Sequence, residues 1–197
     1  MESVSIKLPD NIDYSKYNSN SGMSTKFWGP RFWDALFVSI LGRYPVRINT
    51  SDDLEIKQAF KCMLTSLSVM MPCIFCRNSF KGFLEELPIE PYLIGRIELM
   101  YWLYQMKDKV NKKLICQENI CYNEEKGKLK AKFYTKEITE EEYYKKVKEF
   151  KNENFVTIPT PPFQEVLDKY EAQRATCDKK AKKCSIPKKN YPHAGEE

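Results

Sequence analysis

The residues best able to do chemistry lie in the stretch Met71-Pro72-Cys73-Ile74-Phe75-Cys76-Arg77. Two cysteines three positions apart, directly after a proline, can open and close a disulfide without rearranging the chain. At a helix start, unpaired N–H groups and the positive end of the helix dipole favour the thiolate form of the more exposed thiol. Arg77 adds a cation beside Cys76. The same spacing serves as half of a zinc site, and two core cysteines can meet it by chance, so the surroundings must decide.

The chain holds seven cysteines and one histidine, His193, which disfavours sites built from several imidazoles. An odd cysteine count leaves at least one thiol unpaired. With 197 residues, 42% of them hydrophobic, the chain can bury one domain of ordinary size, with or without a tail. Residues 1–24 are polar and lack the apolar run of a secretory signal. The most apolar runs, Ala35 to Leu41 and Leu67 to Met71, fall well short of the ~18 residues a membrane span needs. The expectation is a soluble chain not exported by the usual signal, in which abundant cysteine points to catalysis or metal binding rather than passive stapling. The net charge of +5 is moderate, with a cluster of lysines between Lys179 and Lys189. Without the dense aromatic-basic pattern of RNA and DNA modules, nucleic acid is not an expected partner.

Helical periodicity places the dithiol. Residues 1–24 read as a flexible N-terminal arm. A first helix starts at Ser24 or Thr25 and carries Trp28, Phe32, Trp33, Leu36, Phe37, Ile40 and Leu41 on one broad face, ending at Gly42 and Pro45. A second starts near Ser51 with Ile56, Phe60, Met63, Leu64, Leu67 and Met71 on one side and Cys62 near them, read as a buried core thiol. Pro72 interrupts it, and the cysteine pair opens a third helix with Phe80, Phe83, Leu84 and Leu87. A fourth runs from about Tyr92 to Leu114. These predict an all-α fold, a four-helix bundle with a short additional helix, over residues 25–115. Residues 116–197 form a basic, mostly helical C-terminal extension, with helices near 139–150 and 160–175. The first is capped by Thr139 with Glu142 and the second by Thr160 before Pro161. Cys177 and Cys184 fall in the lysine-rich tail.

The order of motifs resembles the Erv/ALR family of FAD-linked sulfhydryl oxidases, and the long tail resembles members encoded by large DNA viruses. Trp28-Gly29 followed by Trp33 matches the family's opening motif, and Pro72-Cys73-Ile74-Phe75-Cys76 its redox motif. Lys107, Asp108, Val110, Asn111 and Leu114 stand where the family's flavin-binding helix ends, with Trp102 before them. The resemblance covers roughly residues 25–115. It implies FAD beside the dithiol, with Trp28, Trp33, Phe37, Lys107, Val110, Asn111 and Leu114 as cofactor contacts. It further implies Cys73 receiving electrons from protein thiols, Cys76 facing the flavin, molecular oxygen as acceptor giving hydrogen peroxide, and a homodimer. If the viral likeness holds, the setting is host cytoplasm or virion.

The departures from the family pattern are specific. Phe37 and Lys107 replace family histidines, Asp108 an asparagine, and Tyr104 the cysteine of a structural disulfide. Lys107 could pair with a flavin phosphate. Cys116 with Cys121 could supply a local disulfide, and Cys177 with Cys184 a shuttle pair, a staple or free thiols. No GxGxxG fingerprint is present. The competing class is a helical zinc-binding module in which Cys73, Cys76, Cys116 and Cys121 form a four-thiolate site.

Overall fold

Pro45, Pro72, Pro88 and Pro91 punctuate the first hundred residues, and the helices fall between them. The computed structural model of the protein describes residues 13, 15, 22–178 and 183–185. Most of the N-terminal arm therefore lies outside the described residues. Helix α1 spans Thr25–Arg43, α2 Ser51–Met70, α3 Ile74–Glu86 and α4 Arg96–Tyr134, with a 3-10 turn at Glu90–Tyr92 before α4. Helices α5 (Glu140–Asn154) and α6 (Phe163–Glu171) follow, then a two-stranded antiparallel ribbon, β1 (Thr176–Asp178) and β2 (Lys183–Ser185). The fold is all-α, with a core shared by α1–α4 and a helical extension.

Each start has a local cause. Thr50 caps α2 by accepting the Asp53 N–H, and Asp53 accepts the Thr50 N–H in return. This capping box satisfies two donors that the first turn leaves unpaired. Thr139 and Glu142 make the same box on α5, as expected from the sequence. α6 begins three residues later than predicted, after Pro162. The Thr160 hydroxyl does not cap it; it accepts the Asn111 side-chain amide at 2.9 Å instead.

The core is built from Leu36, Phe37, Ile40 and Leu41 of α1, Leu64 and Leu67 of α2, Phe80 of α3 and the inner stripe of α4. Trp102 of α4 is fully buried, and its indole donates to the Leu87 carbonyl at 3.0 Å, tying α4 to the end of α3. Tyr44 is equally buried, donates to the Leu93 carbonyl, and has its phenol pushed up to about 12 by burial. Removing a large aromatic from such packing costs about 3–5 kcal/mol through lost transfer energy and the cavity left. Trp102→Ala is expected to lose that much in a urea titration; a change below about 1 kcal/mol would mean that the bundle does not close around this residue.

Two expectations need correction. Cys62 is exposed, not a core thiol, and accepts from the Gln58 side chain at 3.3 Å. At about 100° per residue it lies roughly 140–160° around α2 from Phe60, Leu64 and Leu67, on the opposite face. The fourth helix does not stop near Leu114 but runs unbroken for 39 residues to Tyr134, across the boundary drawn at 115. Residues 115–134 contain no proline, and α5 folds back on them, placing Phe155 against Tyr122 and Tyr143 against Phe133. Tertiary support of this kind stabilises a polar helix that hydrophobic periodicity alone does not reveal.

Candidate dithiol site

Cys73 is the N-cap of α3, in extended backbone conformation (φ −122°, ψ 123°), and its sulfur accepts the Cys76 N–H at 3.3 Å. The two cysteines thus straddle the helix start, directly after Pro72. Both cysteines are free thiols and half-buried. Their electrostatics are opposite. Burial works against ionisation of Cys73, but the Cys76 thiol, the N–H groups of Cys76 and Phe75, and the charge of Lys113 outweigh it and lower the pKa. Cys76 is raised, first by burial, then by its hydrogen bond to Cys73 and the Cys73 charge, with Lys113 and Arg77 pulling the other way. Of the two thiols, Cys73 is therefore the more readily ionised.

Arg77 does not point its charge only at Cys76. Its guanidinium donates to the Met71 carbonyl at 2.6 Å, closing the turn that leads from α2 into the pair. The approach from the other side is fixed by Gly22, whose φ of +58° and close contact with the Pro72 carbonyl leave no room for a Cβ. Next to it, the Met23 carbonyl accepts the Trp28 indole N–H at 3.0 Å. Trp28, Trp33 and Cys76 all pack, half-buried, on the same core.

A groove of about 420 Å³ lies between α3 and α4, lined by Asn78, Ser79, Phe83, Lys109, Lys112 and Lys113, with Gly82 and Glu86. Lys113 donates to Ser79, one turn along α3 from Cys76, so the groove leads to the dithiol. Lys109 pairs with Glu86 at 2.5 Å and Lys112 with Asp108 at 2.7 Å. Lys113 carries the charge felt at the two sulfurs. Sequence reasoning missed these three lysines as a group. The signal was their i, i+3, i+4 spacing on α4, which puts them on one face.

The other predicted cofactor contacts are gathered differently. Phe37 is wholly buried and stacks on Tyr170 of α6, ring centroids 4.9 Å apart. Tyr170 donates to Asp34 at 2.6 Å, and burial with this bond raises its pKa. Asn111 donates to Thr160, and the Tyr104 hydroxyl to the Pro161 carbonyl at 3.0 Å. Residues 155–174 therefore form a strap lying along α4 and reaching α1. Lys107 sits beneath it, 5.8 Å from the Phe37 ring centre. Burial lowers its pKa, the nearby Lys169 lowers it further, and Asp34 opposes both. Val110 is half-buried and Leu114 exposed.

The remaining cysteines also diverge from expectation. Cys116 and Cys121 are free, exposed and both on α4. Five residues apart in an α-helix, their Cα atoms are about 8.6 Å apart and their side chains about 140° around the axis. A disulfide needs under ~7 Å, so the local bridge does not form. Among the described residues, no three His, Cys, Asp or Glu side chains come together as metal ligands, so the four-thiolate zinc alternative is not assembled. Cys177 and Cys184 face each other in the backbone register of β1 and β2; their side chains lie outside the described residues.

The structure thus places two free, half-buried cysteines at the start of α3 in an all-α bundle. The chain matches the Erv1 / Alr family over residues 30–149, more than half its length, and belongs to that family. Membership supports oxidoreductase activity of the thiol-oxidase type, in a family that typically uses FAD. A search of curated proteins finds no individual match. No helix among the described residues is long and apolar enough to cross a membrane.

Proposed function

We propose that the protein is an FAD-dependent thiol oxidase that forms disulfides in protein substrates and reduces oxygen to hydrogen peroxide. The observation that carries this reading is the opposite tuning of Cys73 and Cys76 at one helix start. Two protein thiols become one disulfide and one oxygen molecule becomes one peroxide, so two electrons and two protons balance.

The donor set suits a flavin dinucleotide. Trp28 and Trp33 offer half-buried indoles near Cys76, and Val110 and Leu114 offer apolar contacts on α4. Lys113 leaves an ammonium group beside the dithiol for the pyrophosphate. On the other side, Lys107 is a partly desolvated cation with only a shared carboxylate near it, a setting that an anionic group relieves. Phe37 is sealed by Tyr170 and supports the site from behind rather than touching the cofactor. A flavin bound there supplies the two-electron acceptor that cysteine alone lacks.

The chain's own residues handle the thiols. A substrate thiolate attacks Cys73 in the oxidised pair and the electron pair leaves to Cys76. Once Cys73 is held in the mixed disulfide, its charge and its hydrogen bond no longer raise the Cys76 pKa. Lys113 and Arg77 then act on Cys76 against burial alone. The Cys76 thiolate is thus favoured only while Cys73 is occupied, which orders the two halves of the reaction.

The test is the visible spectrum of the purified protein with oxygen uptake on dithiothreitol. Flavin absorbance near ~450 nm and peroxide equal to oxygen consumed are expected. A colourless protein that takes up no FAD on refolding would end this reading.

A further inference from the structure

The dithiol is framed by apolar side chains that nothing in the fold uses. Phe75, between the two cysteines, is 76% exposed, and Val69 and Met70, just before Pro72, are 75% and 71% exposed. Met23, 61% exposed, follows Gly22, which packs closely against the Pro72 carbonyl. Scattered exposed apolar residues are ordinary, but Val69, Met70 and Phe75 all lie within four positions of Cys73 in the chain, and such clustering is the pattern of a contact surface.

The charges around this patch have one sign. No Asp or Glu occurs from residue 22 to 33 or from residue 56 to 84, the segments that flank the dithiol. The charged groups acting on the two sulfurs are Lys113 and Arg77, both cations. The chain's own tail cysteine, Cys184, lies in a run with Lys179, Lys180, Lys182, Lys183, Lys188 and Lys189. Like charges oppose that tail docking here, whereas an acidic segment is drawn in.

We infer that Val69, Met70 and Phe75, with the Lys113 and Arg77 charges, form a docking surface for partner-protein cysteines flanked by apolar and acidic residues. This rests on the oxidase reading and names its substrate class. In the exchange, the partner thiolate bonds to the Cys73 sulfur and the Cys73–Cys76 bond breaks, leaving the electron pair on Cys76. A second partner thiol then attacks the mixed disulfide and releases Cys73 and the partner's new disulfide. The oxidant is the enzyme's own disulfide.

The surface can be tested without flavin. In the full chain carrying Cys76→Ser, Cys73 reacts with peptides whose single cysteine is activated as a 2-thiopyridyl disulfide, and modification at Cys73 is followed by mass spectrometry. Three peptides place the cysteine between Phe and Glu, between Ser and Glu, or between Ser and Lys. Each rate is divided by that of 2-thiopyridyl-activated mercaptoethanol on the same variant, which cancels intrinsic thiol reactivity. The Phe/Glu peptide is expected to react about tenfold or more faster than the Ser/Lys peptide, with Ser/Glu between them. Adding Phe75→Ser or, separately, Met70→Ser should shrink the Phe/Glu over Ser/Glu ratio to under about threefold, and about 0.5 M salt should erase the Glu over Lys ratio. Equal rates for all three peptides would overturn the inference, as would ratios untouched by both substitutions. A faster Ser/Lys peptide would overturn it in favour of the lysine-rich tail. A protein that binds no flavin yet shows the expected ratios loses the oxidase reading and keeps the docking surface.

Discussion

Replacing Cys73 by serine or Cys76 by alanine is expected to lower dithiol-driven oxygen uptake by at least about 10³-fold, while the two variants behave oppositely toward alkylation. In the wild-type dithiol, iodoacetamide should modify Cys73 first and at a pH below the usual thiol range, because only the thiolate reacts and Cys73 carries it. Cys76 should resist until much higher pH. In Cys73→Ser, the neighbouring thiolate that raises Cys76 is gone, so Cys76 should alkylate at lower pH than in the wild type. The sign is fixed: deleting an adjacent negative charge favours ionisation of the remaining thiol. In Cys76→Ala, Cys73 loses one hydrogen bond but keeps the N–H groups and Lys113, so its pKa should rise yet stay a lesser change. Peptide mapping after alkylation across pH reads both sites. If Cys76 were the first thiol modified in the wild type, the division of labour argued above would be reversed. If its reactivity did not move in Cys73→Ser, the coupling between the two sulfurs would be absent.

Much of this was visible before any coordinates. Cys73 and Cys76, with Pro72 before them, announced a helix start and a dithiol because proline and N-cap chemistry act within a few residues. The helices α1–α3 were legible because each has one clean apolar stripe and a proline or glycine at its end. What stayed hidden depends on tertiary contacts. Cys62 was placed in the core because its neighbours are apolar, although its angle on α2 turns it outward. The second half of α4 was unreadable because its stability comes from α5 and from the Glu118 carboxylate, which accepts from Thr157 in the strap. No local pattern could show that Phe163 and Tyr170 would return to cover Tyr104 and Phe37, more than 55 residues away in sequence. The family likeness gave Phe37 a cofactor-contact position; nothing local showed that Tyr170 would stack on it.

That strap makes the second strong prediction. Tyr170→Ala removes a buried ring stacked on Phe37 and the donor to Asp34, so the docking of residues 155–174 should weaken by about 3 kcal/mol or more. Local undocking caps the cost to the whole fold, because α1–α4 keep their own core. The loss should therefore appear first as faster hydrogen exchange in Phe163–Glu171 and as cleavage near the exposed Val156 and Ile158. Tyr170→Phe keeps the stack and loses only the bond to Asp34, and should cost about 1–2 kcal/mol. The effect on flavin follows from Lys107. With the strap docked, Lys107 is desolvated and faces Lys169, an arrangement an anionic phosphate stabilises. Undocking hydrates Lys107 and removes Lys169, so FAD affinity in Tyr170→Ala should fall at least about tenfold, measured by quenching of flavin fluorescence. An affinity that rose instead would make the strap a cover that the cofactor must displace. An unchanged affinity, with exchange in α6 clearly accelerated, would separate the strap from the cofactor altogether and leave Lys107 as a buried support for the α1–α4 contact.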